Sequence, residues 1–179
     1  MSVYLHVADG FEEIEALAVT DILRRGGVDV DLVSVMGRDL VVGAHEIKLE
    51  ADLLFEEADY DACEMIILPG GMGYQILAAH EGLCEKIREF AAADKWLAAI
   101  CASPSVLAGC GVLEGKNATI YVGMEDLLAG AVYSPERVVI DGKIVTSKGP
   151  STALDFGYAL LAILKGKETA DQIKADMLY

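Results

Sequence analysis

The stretch WLAAICASPSVLA, residues 96–108, decides the architecture. Trp96 to Cys101 run apolar without a break, the pattern of a strand covered on both faces. Pro104 then opens a helical stretch, and the small residues Ala99 and Ser103 stand two positions before and after Cys101. A chain that turns this sharply from strand to helix passes close to itself, which excludes bulky neighbours. The turn residue is lifted above the sheet in a strained backbone. That is the logic of the G-x-S-x-G nucleophile elbow, here with cysteine in the serine position.

Outward from this point the same alternation fills the chain. VYLHVA (3–8) reads as a strand, and a helical pattern from Phe11 to Arg25 ends at Gly26-Gly27, a C-cap signal. VDVDLVSV (28–35) and HEIKLEA (45–51) alternate as strands, and EMIILP (64–69) is a second doubly covered run. A long helix is expected over 74–93 and a short one from Pro104. A strand over ATIYV (118–122) and a hairpin, RVVI–Asp141-Gly142–KIVTS, follow. Helices over 151–165 and 168–176 close the chain. The order predicts an α/β sandwich with a mostly parallel sheet, one domain over residues 1–179.

With 179 residues, 54% of them hydrophobic, the chain can bury one sizeable core. No apolar run reaches the length of a membrane span, and MSVYLHVADGFEE lacks a basic start, so the expectation is a soluble cytoplasmic protein. A net charge of −15, from 14 basic and 29 acidic residues, disfavours nucleic acid, which needs a basic footprint. The four cysteines, at 63, 84, 101 and 110, form no CxxC pair and no zinc spacing, so each is read as a free thiol. GGMG lacks the ending of a P-loop and the spacing of a dinucleotide fingerprint. No metal or cofactor is expected.

Ligands of such sheets bind beyond the carboxyl ends of the strands. Three strand ends carry unusual residues: ADGFEEIE, PGGMG and CASP. At Cys101 the following helix points its amides at the sulfur, favouring thiolate over thiol. The alternative is a buried structural cysteine. Glu15 shares a helix face with Phe11, Ala18, Val19 and Ile22, whereas Glu12 and Glu13 can reach solvent. A carboxyl on that apolar face has a raised pKa and can donate to a thiolate or serve as general acid/base; the alternative is a first-turn glutamate favoured by the helix dipole. The amides of Gly71 and Ala102 are positioned to form an oxyanion hole. His6 is read as a satisfied sheet position, and His45 and His80 as solvated.

Together ADGFEEIEALAVTDILRRGG, IILPGGMG, AAICASPSVLA and TSKGPSTALDFG resemble the DJ-1/ThiJ/PfpI superfamily, specifically its DJ-1-like branch, over nearly the whole chain. The resemblance implies a flavodoxin-like three-layer sandwich, usually a homodimer, with Cys101 as the reactive elbow cysteine. It makes Glu15 that cysteine's hydrogen-bond partner and Gly71 and Ala102 the backbone donors near the sulfur. Gly70, Ser103, Tyr121, Gly149 and Pro150 are supporting positions. Two departures stand out. Ala102 replaces the histidine that follows the cysteine in the PfpI-like branch, which disfavours a Cys-His protease. Tyr121 falls where DJ-1-like members bring a histidine toward the sulfur. The implied activity is cofactor-free, glyoxalase-like or deglycase-like conversion of α-oxoaldehydes to 2-hydroxy acids. The alternatives are a redox or oxidative-stress sensor through Cys101 oxidation, or a scaffold whose activity has lapsed.

Overall fold

The computed structural model describes residues 2–179. The strands are β1 (Ser2–Val7), β2 (Asp29–Ser34), β3 (Leu40–Val42), β4 (Lys48–Glu50), β5 (Leu53–Leu54), β6 (Cys63–Leu68) and β7 (Trp96–Ile100). Four more follow: β8 (Asn117–Ala118), β9 (Val132–Tyr133), β10 (Val138–Asp141) and β11 (Ile144–Ser147). The helices are α1 (Glu13–Arg25), α2 (Tyr74–Ala79), α3 (Glu81–Ala92), α4 (Pro104–Gly109), α5 (Ala153–Lys165) and α6 (Lys167–Asp176).

Seven strands form the central sheet in the order β10-β11-β7-β6-β1-β2-β5, parallel except for the edge strand β10. The period of two along each strand divides the core between two faces. Val3, Leu5, Met65, Ile67, Ala98 and Ile100 pack under α1, α5 and α6. Tyr4, Ile66, Leu68, Leu97 and Ala99 pack under α2, α3 and α4. Covered on both sides, the middle strands have no polar face to show, which is why 64–69 and 96–101 read as continuous apolar runs. This is the α/β sandwich expected, of flavodoxin-like type.

Several elements differ from the expectation. The helix over 74–93 is two helices, α2 and α3, parted at His80, whose extended backbone (ψ 99°) and Nδ1 cap α3 by accepting from Leu83 N at 3.0 Å. His80 is therefore half-buried against Phe55 rather than solvated. HEIKLEA contributes only β4, paired with β3 in a hairpin apart from the main sheet. ATIYV is not a strand beyond Ala118: the Thr119 and Tyr121 amides donate to Thr146 Oγ1 and the Cys101 carbonyl, both at 2.9 Å, instead of to a neighbouring strand. In the β10–β11 hairpin Asp141 still pairs with Ile144, so the two turn residues are Gly142 and Lys143, and Gly142 carries the positive φ of 61°.

The strand order reverses between β1 and β6, where α/β sheets of this kind open a crevice at their carboxyl edge. The ends of β1, β6 and β7 meet there.

Candidate active site

Cys101 follows β7 with φ +64°, a left-handed backbone that L side chains rarely adopt. Its N–H donates to the Ser147 carbonyl and its carbonyl accepts from Tyr121 N, each at 2.9 Å, so both strained peptide units are pinned. Buried Ser103 ties the other side of the elbow, its Oγ donating to the Pro69 carbonyl at 2.5 Å. Ala99 and Ser103 are fully buried, as close passage of the chain requires. The elbow and its strain are those expected from 96–108.

The end of β6 forms the opposite wall. Gly70 lies so close that a Cβ there would stand 2.5 Å from Cys101 Cβ and 2.7 Å from Glu15 Oε2. Gly71 has φ +76°, and a Cβ on it would meet the Gly10 carbonyl at 2.3 Å, so only glycine fits. Glu12 N donates to the Gly70 carbonyl and Gly73 N to that of Gly10, stitching this loop to the start of α1. The amides of Gly71 and Ala102 have no carbonyl acceptor among the described residues, and both act on Cys101 to favour its anion.

Glu15 is fully buried at the first turn of α1. Its Oε2 accepts from Gly70 N at 2.7 Å and lies with Cys101 Sγ around Gly70, while its Oε1 has no hydrogen-bond partner among the described residues. Leaving an ionised oxygen stranded in the interior is costly. Burial accordingly pushes Glu15 up to about 7, against the pull of the Gly70 amide and Cys101. Burial also pushes the Cys101 thiol up to about 12, repulsion from Glu15 adding to it and the Gly71 and Ala102 amides opposing. The expected low thiol is thus reversed while Glu15 is ionised: two amides and a short helix do not outweigh burial beside an anion. Protonating Glu15 removes the repulsion and supplies an O–H donor to the sulfur. The two groups titrate as one pair, and the position of a shared proton decides which of them is the anion.

Cys101 Sγ opens on a mainly apolar pocket of about 330 Å³, walled by Glu12, Met72, Tyr74, Tyr121 and Met124. Tyr121 is half exposed and lines the pocket together with Cys101. Gly149 and Pro150 do not line this pocket. They border a neighbouring one of about 340 Å³, whose wall Tyr121 shares. The sequence reading missed Met72, Tyr74 and Met124, which carry no motif, and misjudged Glu13. Glu13 is buried: its Oε1 accepts from His45 N at 2.7 Å, and its Oε2 meets His45 Nδ1 at 2.8 Å. Glu12, Glu13 and His45 are also a group of ligand atoms close enough to share a cation. The pairing of Glu13 with His45 accounts for their closeness. Cys110 lies at the far end of α4 from Cys101, buried as expected.

A doubly wound sheet carrying a strained cysteine at the end of a central strand, with a buried carboxyl from the first helix against it, places the protein among the elbow-cysteine α/β sandwiches. The chain belongs to the DJ-1/PfpI family, which it matches over residues 1–163. It is 38% identical over 170 residues to the Protein DJ-1 homolog B of Arabidopsis thaliana, covering 93% of this chain and 39% of the relative. The chain spans about two-fifths of the length of that relative and of its homolog A. A Pyrococcus abyssi protein named a deglycase is 31% identical over 167 residues, 92% of this chain and 100% of its own. Among solved structures, oxidised Toxoplasma gondii DJ-1 superposes with a TM-score of 0.95 at 36% identity, covering 99% of this chain and 98% of its own.

Proposed function

We propose that the protein converts small α-oxoaldehydes to 2-hydroxy acids through Cys101. The observation that carries this reading is the sulfur at the floor of an open apolar pocket, flanked by a carboxyl and two amides. The Cys101 thiolate adds to the aldehyde carbon, and the developing alkoxide takes the Gly71 and Ala102 N–H groups. Glu15, which holds the pair's proton while the sulfur is a thiolate, gives it to the alkoxide to complete the hemithioacetal. Now ionised, it removes the proton from the former aldehyde carbon and returns it to the adjacent one, the hydroxyl proton passing to the neighbouring oxygen. The hemithioacetal thereby becomes a thioester of the 2-hydroxy acid, which water hydrolyses, restoring the thiol. Tyr121, in the wall of the same pocket, is the group that could assist in place of the family's histidine. The kinship with a protein named a deglycase supports the substrate class.

Purified protein incubated with methylglyoxal should form lactate, and Cys101→Ser should abolish this. A second reading, a sensor in which Cys101 is oxidised and held by Glu15, is favoured by the high pKa of that carboxyl. Selective peroxide oxidation of Cys101 without lactate formation would support it and exclude the first.

We also read the protein as a homodimer. Ile14 and Leu17 stand exposed on the outer face of α1, and Leu40 and Ile47 on the adjoining hairpin, which the Glu13–His45 contact holds to α1. Among the described residues no helix is long and apolar enough to cross a membrane.

A further inference from the structure

A pair of thiols outside the Cys101 site, Cys84 and Cys110, lies on the α2–α4 side of the sheet. Cys84 and Arg88, four residues apart, share one face of α3. Both lie by Cys110, the residue that caps α4: Cys84 packs against the apolar cluster that contains Cys110, and Arg88 Nε donates to the Cys110 carbonyl at 3.3 Å. Cys84 Sγ donates to the Ala78 carbonyl at 3.5 Å, and the Cys110 thiol is raised by burial first and by the neighbouring Cys84 after it. The two thiols differ in access. Cys110 is buried, whereas Cys84 is half-buried on a cleft of about 320 Å³ walled by Ala78, Glu81, Glu85 and Arg88. A reachable thiol beside a buried one, with a guanidinium at hand, is the arrangement of an attacking and a resolving cysteine. Cys63 offers the contrast: it is fully buried and its Sγ donates to the Met65 carbonyl at 3.2 Å.

We propose that Cys84 and Cys110 form a redox-active dithiol, separate from Cys101, that peroxide closes to an intramolecular disulfide. The Cys84 thiolate attacks one peroxide oxygen and the O–O bond breaks, giving Cys84 sulfenic acid and hydroxide. The Cys110 sulfur then attacks the Cys84 sulfur and the S–O bond breaks. The Cys110 proton leaves with that oxygen as water, so one peroxide is reduced and two thiols are oxidised to one S–S bond. The bond would tether α3 to the end of α4, the helix whose other end follows the Cys101 elbow.

The test uses Cys101→Ser protein, which keeps three cysteines. It is treated with stoichiometric hydrogen peroxide, then denatured and alkylated. The expected result is one remaining alkylatable thiol, a chain lighter by two hydrogens, and a linked peptide pair containing Cys84 and Cys110, all reversed by dithiothreitol. Adding Cys110→Ala, which leaves a small apolar residue in the buried site, should instead trap Cys84 as a sulfenic acid that reacts with dimedone. Three thiols still titrating, Cys84 carried on to sulfinate with Cys110 reduced, or a disulfide between chains on a non-reducing gel would each overturn the proposal.

Discussion

Gly70→Ala isolates the contact on which the site depends. The glycine is buried and its φ is not in the left-handed region, so alanine suits the backbone and the entire effect comes from the added methyl. That methyl would sit 2.5 Å from Cys101 Cβ, 2.7 Å from Glu15 Oε2 and 2.9 Å from Cys101 Sγ. Carbon atoms rest at about 3.5–4.0 Å, so a neighbour must move by about 1 Å. Cys101 cannot yield easily, because its peptide groups are fixed to Ser147 and Tyr121. Glu15 moves instead, and its 2.7 Å bond from Gly70 N is stretched or lost. Overpacking costs about 1–3 kcal/mol, and a hydrogen bond to a charged group contributes about 1.5–3 kcal/mol. The stiffer unfolded chain returns about 0.4–1 kcal/mol. A net loss of about 3 kcal/mol corresponds to a midpoint lower by about 6–12 °C for a chain of this size. Calorimetry and urea unfolding measure the loss, and peptide-mapped alkylation rates report Cys101. Gly109→Ala, where nothing lies within 4 Å, is the control and should be neutral or slightly stabilising. Unfolding within about 0.5 kcal/mol of the parent, with an unchanged Cys101 alkylation rate, would refute the packing argument.

Other consequences can be measured on the same material. In a Cys101→Ser background, Glu15 keeps its proton in the fold to about pH 7 while the unfolded chain releases it near 4.5. Stability should therefore fall as pH rises between those values, by about 3 kcal/mol. Glu15→Gln should abolish the slope in urea titrations, and an identical slope in both would refute the raised carboxyl. Buried His6, whose Nε2 meets Tyr60 Oη at 2.8 Å, is held neutral with a pKa lowered to about 3, chiefly by burial. The unfolded chain takes up that proton first, so this stability is present above pH 6.5 and lost as pH falls toward 3. His6→Gln should flatten the acid limb of the stability profile, and an unaltered limb would exclude His6 as its source. On the proposed homodimer through α1, the parent should sediment as a dimer and Ile14→Glu as a monomer; a monomeric parent would refute the dimer, and a dimeric variant would place its interface elsewhere.

The doubly covered strands were legible because burial on both faces leaves no other composition open to them. Glu15 was legible too, since helical spacing alone puts it among Val19 and Ile22. Glu13 was not: what lets it be buried is His45, more than thirty residues away on a hairpin that no local pattern places beside α1. The break at His80 escaped because Ala78, Ala79 and Glu81 all favour helix, and the ring nitrogen that starts α3 acts only once α2 has stopped. Residues 119–122 carry strand-forming side chains, but β propensity describes a half-buried pleated surface. Here the amides were claimed by Thr146 and by the elbow itself. The direction of the Cys101 shift needed the depth of the site, and sequence shows which groups surround a sulfur without showing how much water they exclude.

The left-handed φ of Cys101 also bears on how the chain would change if the site fell out of use. A side chain with a Cβ pays roughly 1–2 kcal/mol in that conformation, and glycine does not. Position 101 is therefore one where random replacement can make the protein more stable, Cys101→Gly above all. A lineage freed from whatever the thiol does would have nothing to hold cysteine there and a thermodynamic slope leading away from it. Thermal midpoints of the 101 variants would measure that slope, and so how strong selection must be to keep the sulfur in place.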